Sequence, residues 1–208
     1  MNKKPSHDDN RQAQLILASA SPRRRELLAQ IGVPVRVQAV DIDESCRDGE
    51  SVTGYVERLA MEKARHGFEV IDNPHGLPVL GSDTIVEIDG DILLKPASRQ
   101  HARDMLQRLS GRVHAVHTAV AVVTDSRRLH ALNSSRVRFT SLHEDDIRRY
   151  VASGEADDKA GAYGIQGIAA QFIEHIEGSF SGVMGLPLYE TRQLLVSIGI
   201  DPLLQYEE

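Results

Sequence analysis

The sequence predicts an α/β fold with a mixed sheet, and three observations carry that prediction. Short apolar, often β-branched runs alternate with helix-patterned segments along the chain. The run at 15–18 feeds through Ser-Ala-Ser into Pro22, the junction expected where a strand hands over to a helix. Residues 113–124 and 129–140 flank a turn at 125–128, and so long a hairpin excludes a purely parallel sheet.

Taken in order, residues 14–18 read as the first strand. Ser21 occupies the N-cap position of the helix that follows, Pro22 its first turn, and Gly32 its stop. Residues 33–40 are β-branched enough for a second strand and end in an acidic loop holding Asp41, Asp43 and Glu44. Ser51 opens a helix to about His66, with Tyr55, Leu59 and Ala60 on one face and Lys63 a turn further on. Segments 78–81 and 84–88 read as strands on either side of Ser82 and Asp83, which puts Asp83 at a strand end. Asp89-Gly90 is a hairpin signal returning through 92–94. Ala102, Met105, Leu106 and Leu109 mark a helix over 98–109 that Ser110-Gly111 ends. After the long hairpin, 144–152 reads as helix, 159–167 as glycine-rich and irregular, 172–176 as strand and 188–198 as an amphipathic helix. Residues 1–13 read as a disordered tail, and 14–208 as a single domain.

Composition narrows the function classes. The net charge of −6 argues against a nucleic-acid partner, which selects a basic face. No apolar run approaches the roughly 18 residues of a membrane span. Cys46 stands alone, so no internal disulfide forms, and a cytoplasmic home follows by elimination. His114 and His117 sit three apart in a strand, on opposite faces, and read as structural; the remaining histidines show no metal spacing.

The segment 15–32 carries the sharpest chemical signal. Three arginines, Arg23, Arg24 and Arg25, crowd a helix N-terminus whose free N–H groups are already electropositive. Cations there are unfavourable unless an anion offsets them. Ser19, Ser21 and the first-turn amides therefore read as a phosphate-binding elbow, with Arg23 and Arg24 adding charge-assisted bonds. A solvated helix start with surplus arginine is the competing reading. The acidic loop offers hard oxygens of the kind divalent cations select, and solvation alone is again the alternative. Gln166, between Gly164 and Gly167, presents one acceptor and two donors. That complements the acceptor–donor–acceptor edge of uracil or thymine.

SASPRR, GSDT, LLKP, SGRVHAVHTAV and DKAGAYGIQG, in that order, resemble the Maf family of nucleotide pyrophosphatases, from Leu15 to about Ile198. The resemblance implies a Maf- and ITPase-like curved mixed sheet, with two lobes around a central cleft. It implies cleavage of a nucleoside triphosphate at the α–β phosphoanhydride. Asp83 inherits the role of proton acceptor, or alternatively of Mg²⁺ ligand; the residues alone do not separate the two. Glu44 matches a glutamate facing the site and becomes the candidate ligand for Mg²⁺ or Mn²⁺, with Asp43 as the fallback. Lys63 and Lys95 match active-site lysines, and with Arg24, Ser19 and Ser21 form the phosphate-binding set. Arg23, Thr84 and Gln166 match the three positions that mark the dTTP/UTP branch, where the 7-methyl-GTP branch has tryptophan, glutamine and glutamate. A pocket tells thymine from uracil by one methyl, worth about 1–3 kcal/mol, so both nucleotides are expected substrates. Nucleotide-pool house-cleaning and a homodimer follow from the same resemblance. Two alternatives stay open: another modified or purine nucleotide, and a nucleotide-binding cell-division regulator without catalysis. Ala156 stands where the family commonly has proline.

Overall fold

The computed structural model describes residues 13–73 and 75–206. The predicted tail thus lies, but for Ala13, outside the described residues. Among the described residues seven strands form one sheet: β1 (Leu15–Leu17), β2 (Val35–Val37), β3 (Val79–Ile88), β4 (Asp91–Leu93), β5 (Val113–Val123), β6 (Arg128–Phe139) and β7 (Ile173–Glu177). Their spatial order is β2-β1-β3-β5-β6-β7, with β4 folded back on β3. Only the β1 pairings are parallel, so the sheet is mixed, as the long hairpin requires. Asp89 and Gly90, both at positive φ, make the tight β3–β4 turn.

The sheet divides its helices by side-chain parity. On one face, α2 (Val52–Val70) lays Tyr55, Leu59, Ala60 and Ala64 against Ile85, Ala119 and Ala121. On the other face lie two separate apolar clusters. One joins α1 (Pro22–Gln30) and α6 (Leu188–Ser197) to Leu15, Leu17, Leu80, Val120 and Val122. The second joins α3 (Arg99–Leu109) and α4 (Glu144–Ala152) to Val86, Ile88, Val116 and Phe139. Between them β3 and β5 turn polar, with Ser82, Thr84 and Thr118 on the same face. A short helix, α5 (Phe180–Met184), caps this polar gap. None of the described helices is long and apolar enough to cross a membrane.

Two strands differ from the sequence expectation, α2 runs one turn past His66, and α5 has no counterpart in it. Segments 78–81 and 84–88 are one ten-residue strand, so Asp83 lies mid-strand rather than at a strand end. Continuous pairing with β5, from Val79↔Val123 to Glu87↔Ala115, overrides the turn-like look of Ser-Asp. The Ser82 hydroxyl is absorbed within the fold, donating to Ala119 O and Gly185 O at 2.8 and 3.1 Å. The second strand shortens to three residues. At the first helix Ser21 is the N-cap residue, but its side chain makes no capping bond. Instead its own N–H donates to Ser19 Oγ at 3.2 Å. Among the described residues no side chain caps the first-turn amides of the elbow.

Candidate active site

On its β1 side, β3 is paired only to Leu80, where β1 ends, and again from Val86, opposite Leu93 at the end of β4. Residues 81–85 therefore have β5 on one side and no strand on the other. A cleft of about 680 Å³ lies over this open edge. Neighbouring residues that point to opposite faces of the sheet, Asp83 and Thr84, consequently line one and the same space.

On the Asp83 side, α2 approaches β3 closely because Gly81 has no side chain. A Cβ there would collide with Ala60 O and stand 2.5 Å from Ala64 N. This backbone contact brings Lys63 over the strand, and its Nζ donates to Asp83 Oδ1 at 2.7 Å and pairs with Glu44 Oε1 at 2.6 Å. One ammonium thus gathers two carboxylates from distant parts of the chain. Asp83 Oδ2 keeps no protein partner among the described residues. The loop carrying Glu44 is itself tied to α2. The buried Tyr55 hydroxyl donates to Glu44 O at 2.7 Å, and burial, first among several causes, pushes its pKa up to about 12. Arg58 donates to Ser45 O at 2.9 Å and holds both Glu50 oxygens, at 2.6 and 2.8 Å. Tyr55 and Arg58 escaped the sequence reading as site residues; both lie on α2, the helix that also carries Lys63. Asp43 accepts from Ser45 N in its own turn and does not line the cleft.

On the Thr84 side, Arg24 spreads its fork across three elements. Nε donates to Gly185 O at 2.9 Å, Nη1 to Ser19 Oγ at 3.0 Å and Nη2 to Thr84 Oγ1 at 3.3 Å. Thr118 donates at 3.0 Å to that same threonine oxygen or at 2.8 Å to Gly182 O. Burial lowers the Arg24 pKa; Asp83 opposes this, Arg23 adds to it, and Glu44 opposes it. Cations therefore crowd the elbow, with two carboxylates across the cleft as partial counterweight. Arg23 reaches Asp158 Oδ2 at 3.6 Å. Lys95 is exposed at the rim, without an ion pair among the described residues. Gln166 is exposed on the 164–167 turn, closed by Gly167 N donating to Gly164 O at 3.1 Å. Its side chain has no protein partner among the described residues, and it lines the cleft.

All the predicted site residues, Ser19, Ser21, Arg23, Arg24, Glu44, Lys63, Asp83, Thr84, Lys95 and Gln166, thus line one cleft. Lys159, which no motif argument assigned a role, lines it too. A larger hollow of about 940 Å³ opens at the other end of β1 and β3, beside Gln14 and Pro78. Its lining guanidinium, Arg127, is already donating to Ser197 O at 2.5 Å, so the hollow offers no comparable set of charges. Among the described residues no three carboxylate, imidazole or thiol groups form a metal cluster. Glu44 and Asp83, converging where one cation already sits, are the hard-oxygen pair that fits a divalent ion sharing its other positions with water or phosphate.

The family model described as Maf-like protein matches residues 14–198. A "dTTP/UTP pyrophosphatase" of Aromatoleum aromaticum is 52% identical over 200 residues, covering 90% of this chain and 97% of the relative. Proteins of the same name from Hahella chejuensis and Chromobacterium violaceum are 51% and 50% identical. They are covered to 92% and 96% of their own lengths, and this chain to 89% and 90%. With the family pattern matched over nearly all of the described residues and half of all positions shared with such relatives, the chain belongs to the Maf family.

Proposed function

We propose that this protein hydrolyses dTTP and UTP between the α and β phosphorus atoms, giving the nucleoside monophosphate and pyrophosphate. The observation that carries the reading is the Glu44–Lys63–Asp83 cluster, standing in the same cleft as Arg23, Thr84 and Gln166. Names carried by relatives about half identical over nearly their full lengths support it.

The roles follow from the chemistry of each group. Asp83, with Oδ1 held by Lys63 and Oδ2 left to the cleft, takes the proton of the attacking water. The Lys63 contact fixes that carboxylate in direction. Arg24, Lys95, Ser19, Ser21 and the open amides of α1 receive the polyphosphate, whose charge grows on the leaving pyrophosphate. Arg24 is already locked in place by three acceptors, so little reorganisation is needed when the anion arrives. Glu44 and Asp83 would hold a divalent cation, Mg²⁺ or Mn²⁺, which when bound neutralises phosphate charge and polarises the phosphoryl oxygens. Arg23, Thr84 and Gln166 select the base. A cytoplasmic, homodimeric enzyme of nucleotide-pool house-cleaning completes the reading.

The test is a panel of nucleoside triphosphates assayed for pyrophosphate release with Mg²⁺ or Mn²⁺. dTTP and UTP are expected to lead; their bases differ by one methyl, worth about 1–3 kcal/mol in a pocket, and their sugars by the 2′-hydroxyl. Turnover of 7-methyl-GTP well above that of dTTP would overturn the assignment.

A further inference from the structure

Gln166 poses a positioning problem. Its side chain is exposed, unpartnered by protein, and carried on an irregular turn, yet base recognition needs its amide aimed within a fraction of an ångström. The fixing comes from below the turn, from Glu155, a residue that does not line the cleft. Its carboxylate accepts from Ile168 N at 2.7 Å and from Ala169 N at 3.2 Å, the two amides after Gly167. It also accepts from the Tyr150 hydroxyl at 3.1 Å. Gly167 lies so close over this carboxylate that a Cβ there would stand 2.5 Å from Glu155 Cδ. The other end of the turn is held by the same residue through its backbone. Glu155 O accepts from Lys159 Nζ at 2.7 Å, and the Lys159 stem lies against Gly164, 2.7 Å from where a Cβ would be. Both ends of the 164–167 turn thus depend on Glu155.

The connection extends across the cleft. Lys159 Nζ also donates to Asp158 Oδ1 at 2.7 Å, and Asp158 Oδ2 faces Arg23 at 3.6 Å. Two of the three base-selecting side chains are therefore braced by one short loop. We infer that Glu155 is a positioning residue for base selection, setting Gln166 directly and Arg23 through Lys159 and Asp158. This rests on the proposed dTTP/UTP activity and extends it to a residue outside the cleft. Replacing the carboxylate by an amide tests it sharply. Three donors converge on Glu155, and a glutamine meets them with one oxygen, turning its NH₂ toward another donor.

The experiment compares Glu155→Gln and Glu155→Asp with the unaltered protein. Steady-state kinetics are measured with dTTP and dCTP, and inhibition with inorganic tripolyphosphate, which has no base. Glu155→Gln is expected to raise KM for dTTP about tenfold with a smaller change in kcat, and to cut the dTTP-over-dCTP preference by about the same factor. Tripolyphosphate inhibition should stay within about twofold, because Arg24 is held by Ser19, Thr84 and Gly185 and not by Glu155, Asp158 or Lys159. Glu155→Asp, which keeps the charge, should recover part of the preference. Hydrogen exchange at the Ile168 and Ala169 amides provides a second readout, rising in both variants. An unchanged preference, or tripolyphosphate binding lost in step with dTTP, would overturn the inference while leaving the activity standing. If the unaltered protein turns over neither dTTP nor UTP, the activity itself is overturned.

Discussion

Gly81→Ala is the perturbation that most directly tests how the site is assembled. The new methyl would overlap Ala60 O and lie 2.5 Å from Ala64 N and 3.1 Å from Ala64 Cα, all of it helix backbone that cannot rotate away. Restoring ordinary contact requires α2 to lift from β3 by about 1 Å, a strain of about 1–3 kcal/mol for overpacking a close-fitted interface. For a chain of this size that lowers the unfolding midpoint by roughly 3 °C per kcal/mol. The functional effect should be larger. Lys63 rides on α2 and Asp83 on β3, so the lift falls on the 2.7 Å contact between them and on the Glu44 pairing beyond it. A displacement of about 1 Å at reacting groups costs about 10²-fold in rate. The assay pairs thermal unfolding with pyrophosphate release from dTTP. Gly90→Ala serves as the control: its φ of +83° makes alanine unfavourable there by about 1–2 kcal/mol, but its surroundings are open and remote from the cleft. Similar destabilisation of the two variants, with activity lost only in the first, is expected. A folded Gly81→Ala protein with kcat within about twofold of normal would refute the idea that this helix–strand contact sets the Lys63–Asp83 geometry.

Three further outcomes are expected. Asp83→Asn keeps its volume and its strand pairing, so unfolding should barely move while turnover falls by at least about 10²-fold, measured by pyrophosphate release. Arg24→Lys removes the fork from Ser19 Oγ, Thr84 Oγ1 and Gly185 O, which one ammonium cannot serve together. A rise of about tenfold or more in KM for dTTP is expected, and an unchanged KM would remove Arg24 from phosphate binding. His114 is buried with its Nε2 at 2.7 Å from the Tyr163 hydroxyl, and burial pulls its pKa from 6.5 down to about 4. The folded protein therefore keeps this ring neutral where the unfolded chain protonates it. The associated stability, about 3 kcal/mol, is full above pH 6.5 and lost as pH falls from there through 4. His114→Phe should flatten the pH dependence of denaturant unfolding over that window; an unaltered slope would assign the proton uptake to another group.

Most strands and helices were legible because their patterns were local. The periodic apolar positions of α2 and α3 and the β-branched length of β5 each identify themselves within a dozen residues or so. β3 was misread as two pieces because Ser82-Asp83 looks like a turn, and only the long-range pairing with β5 shows otherwise. α5 has five residues, too few to display a period, and owes its place to the polar gap it caps. At the cleft, the motifs supplied the reactive side chains but not their supports. Tyr55 reads as part of an ordinary apolar helix face, Arg58 carries no motif, and Glu155 sits in the acidic run GEADD, where solvation is the natural expectation. Ala156, where the family commonly has proline, is fully buried in the core beside that glutamate.

The mid-strand position of Asp83 has a consequence for how the protein can fail. Lids and loops open locally long before a domain melts, and sites built on them fade ahead of the rest. The carboxylate proposed here as general base, seated on a strand paired from Val79 to Glu87, has no such early exit. Heat inactivation should therefore coincide with cooperative melting of the whole sheet, while drift in substrate preference, governed by the glycine-rich turn, sets in at lower temperature.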